Sequence, residues 1–368
     1  GAGRDAECGA AAWQGIHAVV PVAAVASVLL FHGSGQWLAL LGTSPELRSL
    51  AGDYMAMRGL GAVPLAAATA LASFFRGLGD TRTPLVATVI ANLVNAALDY
   101  ALIFGAFGMP ALGVRGAGLA TAIAEWVFLL ALWLFFRDAA LRKRHRTEPV
   151  RPRWPAIRSL LVTGLPIGGQ WALEMVSFAA FLTLVARLGD AAMAASQAFI
   201  VLLSLSFMQA VGLSSAVTTL VGNYVGARDL EAAERSYRSG MRLAAALALG
   251  IAAVFVSIPG VLVGAFSRDP DVLRLGAQLM WVGAIYQVFD AFAIVADGAL
   301  RGAGDTRWPF AVRFALSWGL FLPLGWGLGI AAGLGLAWAW VGGVVYVAVT
   351  AAALALRFRR GAWLHIEL

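Results

Sequence analysis

The nine residues RGLGDTRTP, Arg76 to Pro84, return as RGAGDTRWP at Arg301 to Pro309, with seven of nine letters unchanged after 225 residues. In each copy the glycines (77 and 79; 302 and 304) suit the end of a helix, where a left-handed residue is needed. Asp80 or Thr81, and Asp305 or Thr306, then offer an oxygen to cap a second helix, whose first turn accepts Pro84 or Pro309. Arg76 and Arg301 sit at a negative helix end and the aspartates at a positive one, so both signs agree with the helix dipoles. The phrase predicts a tight polar turn between two helices, built twice.

The surroundings say where such a turn lies. Of 368 residues, 60% are hydrophobic and 13% charged, with 42 glycines and 13 tryptophans, a composition foreign to soluble globular chains. Apolar runs of roughly 20 residues follow one another with short polar breaks, and the alternation expected of a membrane barrel is missing. The reading is an all-α polytopic membrane protein with ten helices, near 10–31, 47–75, 82–107, 114–137, 159–187, 191–221, 237–265, 271–300, 306–328 and 333–356. The repeated phrase then closes a hairpin at the membrane surface. Its letters also contain GxGD, which looks like the motif of intramembrane aspartyl proteases, but that chemistry needs the Asp in mid-helix, and here Pro and Arg flank it.

The offset of 225 extends beyond the phrase. Pro45 meets Pro270, Leu50 meets Leu275, Gly15 meets Gly240, and GAGRDAE (1–7) resembles VGARDLEAAE (225–234) at nearly the same spacing. In the second half two further helices, about 159–221, precede that phrase; in the first half nothing does, and residue 1 is Gly. The expectation is a chain lacking about 70 residues and two helices from a plan of six plus six. Its halves would be related by a two-fold axis along the membrane normal. The domains predicted are an N-terminal lobe at 1–137, a cytoplasmic linker at 138–158 and a C-terminal lobe at 159–368.

A net charge of +7 invites a nucleic-acid reading, which the placement of charge excludes. Of 27 Lys and Arg, 21 fall on one side: Arg4, Arg76, Arg82, the run from Arg137 to Arg158, the loop from Arg228 to Arg242, Arg301 to Arg313, and Arg357 to Arg360. By the positive-inside rule that side and both termini are cytoplasmic, and the basicity reflects topology with some attraction to anionic lipid. The single cysteine, Cys8, excludes an internal disulfide, and the histidines (17, 32, 145 and 365) show no metal-ligand spacing.

Together these residues resemble the multidrug and toxic compound extrusion transporters, in the branch that includes the DNA-damage-inducible members. The resemblance rests on GAGRDAE, both RGxGDTRxP phrases, GLPIGGQWALEMVSF at 164–178 and GVRGAGLATAIAEW at 113–126, in order and at doubled spacing. It implies a bacterial inner-membrane antiporter, not an enzyme, that exports amphipathic and often cationic small molecules. The coupling ion would be H+ or Na+ without an organic cofactor, and the expected assembly is a monomer in lipid.

Ionisable groups at bilayer depth are costly and therefore candidate sites. Asn92, Asn95 and Asp99 share one helical face. By the resemblance, Asn95 and Asp99 with Thr121 look like the polar network of proton-coupled members in the first lobe. Glu174 and Asp290 resemble the acidic pair of cation-coupled members in the second, so the coupling ion stays open. The same side chains would also serve buried hydrogen-bond clusters that fix packing. Arg58, the one arginine read at depth, would hold a carboxylate such as Asp99 or snorkel. Glu125 would line a cavity or meet a neighbouring helix, and Asp297 would pair with Arg301 at the surface. Pro21, Pro64, Pro166, Pro259 and Pro323 are candidate hinges, Pro64 and Pro166 with Asn92 and Arg58 as gating residues. Met175, Phe178, Phe181, Phe199, Phe207, Met208, Phe289 and Phe292 are candidates for a cation–π cavity. The alternative is a flippase for a lipid-linked precursor of the same superfamily, which would want several cations lining its cavity.

Overall fold

The computed structural model describes residues 3, 5–40, 42 and 44–365; Arg4 and the first two letters of GAGRDAE lie outside the described residues. Among the described residues, ten helices are long and apolar enough to cross a membrane. The chain divides into two compact units, Gly3–Leu161 and Val162–Leu368.

In the first unit α1 (Asp5–Leu40) packs along α2 (Pro45–Gly77), and α4 (Val114–Phe136) receives both α2 and α3 (Arg82–Phe104). Leu71, Phe75, Leu132 and Phe136, all but inaccessible, form its core. The linker is not featureless: α5 (Ala139–His145), capped by Asp138, turns back against α1. α6 (Trp154–Ala186) starts before the predicted 159, because Trp154 and Pro155 fit a first helical turn.

In the second unit α7 (Asp190–Gly226), α8 (Leu230–Ser257) and α13 (Leu336–Arg359) surround α10 (Pro270–Gly302). Its C-terminal half is buried on nearly every side, whereas Gln278, Trp281 and Ile285 leave one face of the first half exposed. The helix expected at 237–265 begins at Leu230 instead and stops at Ser257, where Pro259 opens a separate short helix, α9 (Pro259–Gly264). Pro259 breaks the helix rather than bending it, since Ile258 leaves helical geometry at φ −133°. The helix around Pro323 is α11 (Arg307–Leu316) and α12 (Leu322–Trp326), separated and followed by π-helical turns at Ser317–Phe321 and Gly327–Ala331. The first of these wide turns takes up the hydrogen bonding that Pro323 interrupts. Pro21, Pro64 and Pro166 lie within unbroken α1, α2 and α6.

The duplication is visible in the elements. α2 and α10 begin and end 225 residues apart, with Ser44 and Asp269 as their N-caps. Both copies of the repeated phrase make the same turn. Asp80 N–H donates to the Phe75 carbonyl at 2.9 Å and Gly79 N–H to Arg76 at 2.8 Å; Asp305 N–H donates to Leu300 at 2.9 Å and Gly304 N–H to Arg301 at 3.0 Å. Gly79 and Gly304 both sit at φ +83°, which a side chain would oppose.

The two aspartates then part company. Asp80 Oδ1 accepts from the N–H groups of Arg82 and Thr83, each at 3.0 Å, and Oδ2 from the Thr83 hydroxyl at 2.6 Å, which caps α3. Partial burial pushes the Asp80 carboxyl up, but these hydrogen bonds outweigh it and hold it below the ordinary value. Asp305 is buried and instead pairs with Arg357 Nε of α13 at 2.9 Å. Asp80→Ala is expected to cost about 1 kcal/mol of stability, read as a lowered thermal midpoint in detergent. Because the folded-state pKa is depressed, that cost is complete above about pH 4 and vanishes as the pH falls through the folded value. An Asp80→Ala midpoint equal to the parent at neutral pH would refute the cap.

Candidate functional site

The second unit contains a cavity of about 250 Å3, enclosed by α6, α7, α10, α11 and α13. Glu174 on α6 and Asp290 on α10 both line it, so the fold brings together the acidic pair singled out in the sequence. Both are half-buried. Between them comes a residue that sequence reasoning assigned to the cytoplasmic surface: Arg313, 7% exposed, whose Nη1 donates to Glu174 Oε1 at 2.8 Å. Arg313 stands six residues after Arg307, or roughly 9 Å into the bundle, close enough to the basic turn to be counted with it. Its signal was present: a charge more than one turn inside an apolar helix belongs to the interior.

A second ion pair lies on α10. Arg301 Nη2 meets Asp297 Oδ2 at 2.6 Å, but Asp297 is buried, so this i,i+4 pair is internal and not on the surface as expected. Gln170, 4% exposed, connects the two pairs: its amide oxygen accepts from Arg313 Nε at 3.0 Å and from Arg301 Nη2 at 3.2 Å. Two donors facing one amide atom require that atom to be the oxygen. Gln170 was legible only as part of a motif, not as a bridge.

The walls are aromatic and thioether. Met175, Phe178 and Phe207, named from the sequence, line the cavity together with Trp171 and Tyr286. Phe181 and Phe199 do not: they are inaccessible, packed edge-on to Trp340 with centroids 4.9 and 4.8 Å away. Phe289 and Phe292 pack against the cores, and Met208 is largely exposed. Ser177 and Ser317 share a buried hydrogen bond at 3.0 Å, one on α6 and the other opening the π-helical turn. This cavity therefore joins an apolar box of about the right size for a small flat molecule to a charged wall whose carboxylates outnumber its guanidinium.

In the first unit the candidates are less gathered. Asp99 and Asn95 are half-buried on α3, and Asp99 Oδ1 and Asn95 Nδ2 find no hydrogen-bond partner. Asn92 is exposed. The Thr121 hydroxyl donates to the Ala117 carbonyl of its own helix at 2.9 Å and so is not spent on Asp99. Arg58 binds Glu125, not Asp99, at 2.6 Å. The partner is decided by Gly61 on α2, where any Cβ would collide with Glu125 Oε2; only glycine leaves room for that carboxylate to reach Arg58.

Comparison with known proteins supplies context for this geometry. The profile of the MatE family matches residues 1–101 and 166–326. The chain is 30% identical over 319 residues to the "Probable multidrug resistance protein NorM" of Thermotoga maritima, covering 86% of this chain and 68% of that protein. It is 33% identical over 367 residues to the protein of the same name from Geobacillus kaustophilus, covering 98% and 79%. Among solved structures, "MATE in the straight conformation" superposes with a TM-score of 0.85 at 19% identity, over 98% of this chain and 85% of that one.

Proposed function

Because the chain belongs to the MatE family, the multidrug and toxic compound extrusion transporters, we propose that it is a secondary active antiporter, exporting amphipathic and often cationic compounds in exchange for protons or sodium. The single observation that carries this reading is the cavity of the second unit, where Glu174 and Asp290 face the same space as an aromatic wall. An inflowing cation and a flat organic cation would both be attracted there, and one charge site cannot hold both at full strength. Arg313 occupies Glu174, which leaves Asp290 as the carboxylate open to the coupling ion. Ion binding would favour one of two conformations open to opposite faces of the membrane, since a ligand shifts only states that it binds unequally.

In the first unit Asp99 and Asn95, with their unpartnered buried atoms, are the second coupling candidates; Arg58 and Glu125 neutralise each other and serve packing or gating. Both termini would face the cytoplasm, by the bias of basic residues. The flippase reading is weakened by the same geometry: the arginines at depth, Arg58 and Arg313, are each paired with a carboxylate and offer little to a pyrophosphate.

The test is transport by the chain reconstituted in vesicles loaded with a fluorescent cationic dye. An imposed proton or sodium gradient is expected to drive dye movement, and the ionophore that collapses the driving gradient to stop it. Dye movement indifferent to both gradients would refute antiport.

A further inference from the structure

At the end of the second unit that carries the repeated turn, α8 and α13 flank α10 and leave a groove of about 570 Å3. Its floor is aromatic. Tyr237 and Phe358 are buried with ring centroids 4.3 Å apart, and Trp363 stacks on Phe358 at 5.1 Å. Its rim is basic: Arg238 and Arg242 come from α8 and Arg359 from α13, all exposed. Glu234 bridges Arg238 at 2.5 Å, so three guanidiniums against one carboxylate leave two positive charges on the rim.

The level of the groove is set by the sequence of its walls. Beyond Arg242, α8 has no charged residue to its end at Ser257, and α13 has none from Leu336 until Arg357. Arg242 and Arg359 therefore stand where hydrocarbon gives way to headgroups. Exposed Leu243 and Leu247 on α8 and Leu356 on α13 continue from them into the apolar layer.

The internal repeat shows what this place is shaped to hold. Subtracting 225 turns Glu234 and Arg238 of α8 into Gly9 and Trp13 of α1. There the groove is filled by the linker: a Cβ on Gly9 would collide with the Arg146 carbonyl, and Trp13 Nε1 donates to Thr147 O at 3.1 Å. Among the described residues none fills the second-unit groove in this way, and Arg238 of its rim stands where the first unit has Trp13.

We propose that this groove binds the headgroup of an anionic phospholipid from the adjoining leaflet. Arg242 and Arg359 grip the phosphodiester, and the acyl chains follow the exposed leucines. Guanidinium forks match phosphate oxygens, and attraction to anionic lipid is worth most for cations held at the surface. A soluble phosphate would leave the aromatic floor and the leucines without a partner.

The chain purified in detergent is titrated with dioleoyl phosphatidylglycerol or phosphatidylcholine and read by native mass spectrometry. Phosphatidylglycerol is expected to bind preferentially, and Arg242→Gln with Arg359→Gln to weaken that binding about 30-fold, roughly fivefold for each charge. Arg142→Gln with Arg144→Gln, which removes two exposed linker arginines, is expected to leave it unchanged. Should the first variant fold poorly, Arg242→Lys with Arg359→Lys keeps the charge but not the fork, and is expected to retain the preference with weaker binding. Equal loss in the linker variant, a folded lysine variant without preference, or full displacement of the lipid by glycerol 3-phosphate would each overturn the assignment.

Discussion

Asp290→Asn is expected to lower gradient-driven dye efflux about 100-fold, the upper end of the 5- to 150-fold effects that typical coupling energies produce. The substitution keeps the shape of the side chain and removes the charge that an inflowing cation needs. Asp290 carries this role because Glu174, its companion in the cavity, already holds Arg313 at 2.8 Å. Dye binding, measured by fluorescence polarisation without a gradient, is expected to weaken far less than efflux, since one attracting charge is lost but the aromatic wall is untouched. Asp99→Asn is the parallel arm. If it abolishes efflux while Asp290→Asn transports normally, coupling resides in the first unit and the reading of the second-unit cavity fails.

Arg313→Met is expected to destabilise the protein by about 2–3 kcal/mol, below the range of about 3–5 for a fully buried pair because the Glu174 side chain remains 24% exposed to the cavity. The loss arises less from the missing attraction than from Glu174 left charged without its donor, the Gln170 oxygen keeping only Arg301. Removing both charges together, Arg313→Met with Glu174→Gln, is expected to recover most of the stability, because no uncompensated charge then stays inside. Thermal unfolding of the two single variants and the double variant closes the cycle. A double variant as unstable as the sum of the singles would show that the two residues act independently.

Legibility varied with the distance over which each feature is determined. The turn at Gly79 and Gly304 depends on a left-handed glycine and a few backbone hydrogen bonds among neighbours, so nine letters described it in full. Its two aspartates were written identically, yet Asp80 caps a helix and Asp305 meets Arg357, because the partner arrives from α13, some 50 residues away. The same holds for the charges. Glu174 and Asp290 were conspicuous as acids in apolar runs, whereas Arg313 was hidden by its nearness to a basic turn. Arg58 was seen at depth, but its partner turned on Gly61, whose missing side chain leaves the space that Glu125 occupies. The aromatic list mixed cavity with core, since a phenylalanine that faces a void and one that packs on Trp340 have the same local pattern.

From its letters alone this protein was destined for ten apolar helices in a bilayer, arranged as an internal duplication, with acids too costly at depth to be incidental. Those properties follow from composition and periodicity, which act along the chain. Tertiary structure alone decided which acid meets which arginine, which aromatic rings open onto a cavity, and why one groove is filled by the linker while its repeat keeps a bare basic rim. Such pairings act across helices, where a charge takes the partner that packing brings within about 3 Å, and no spacing in the sequence records that approach.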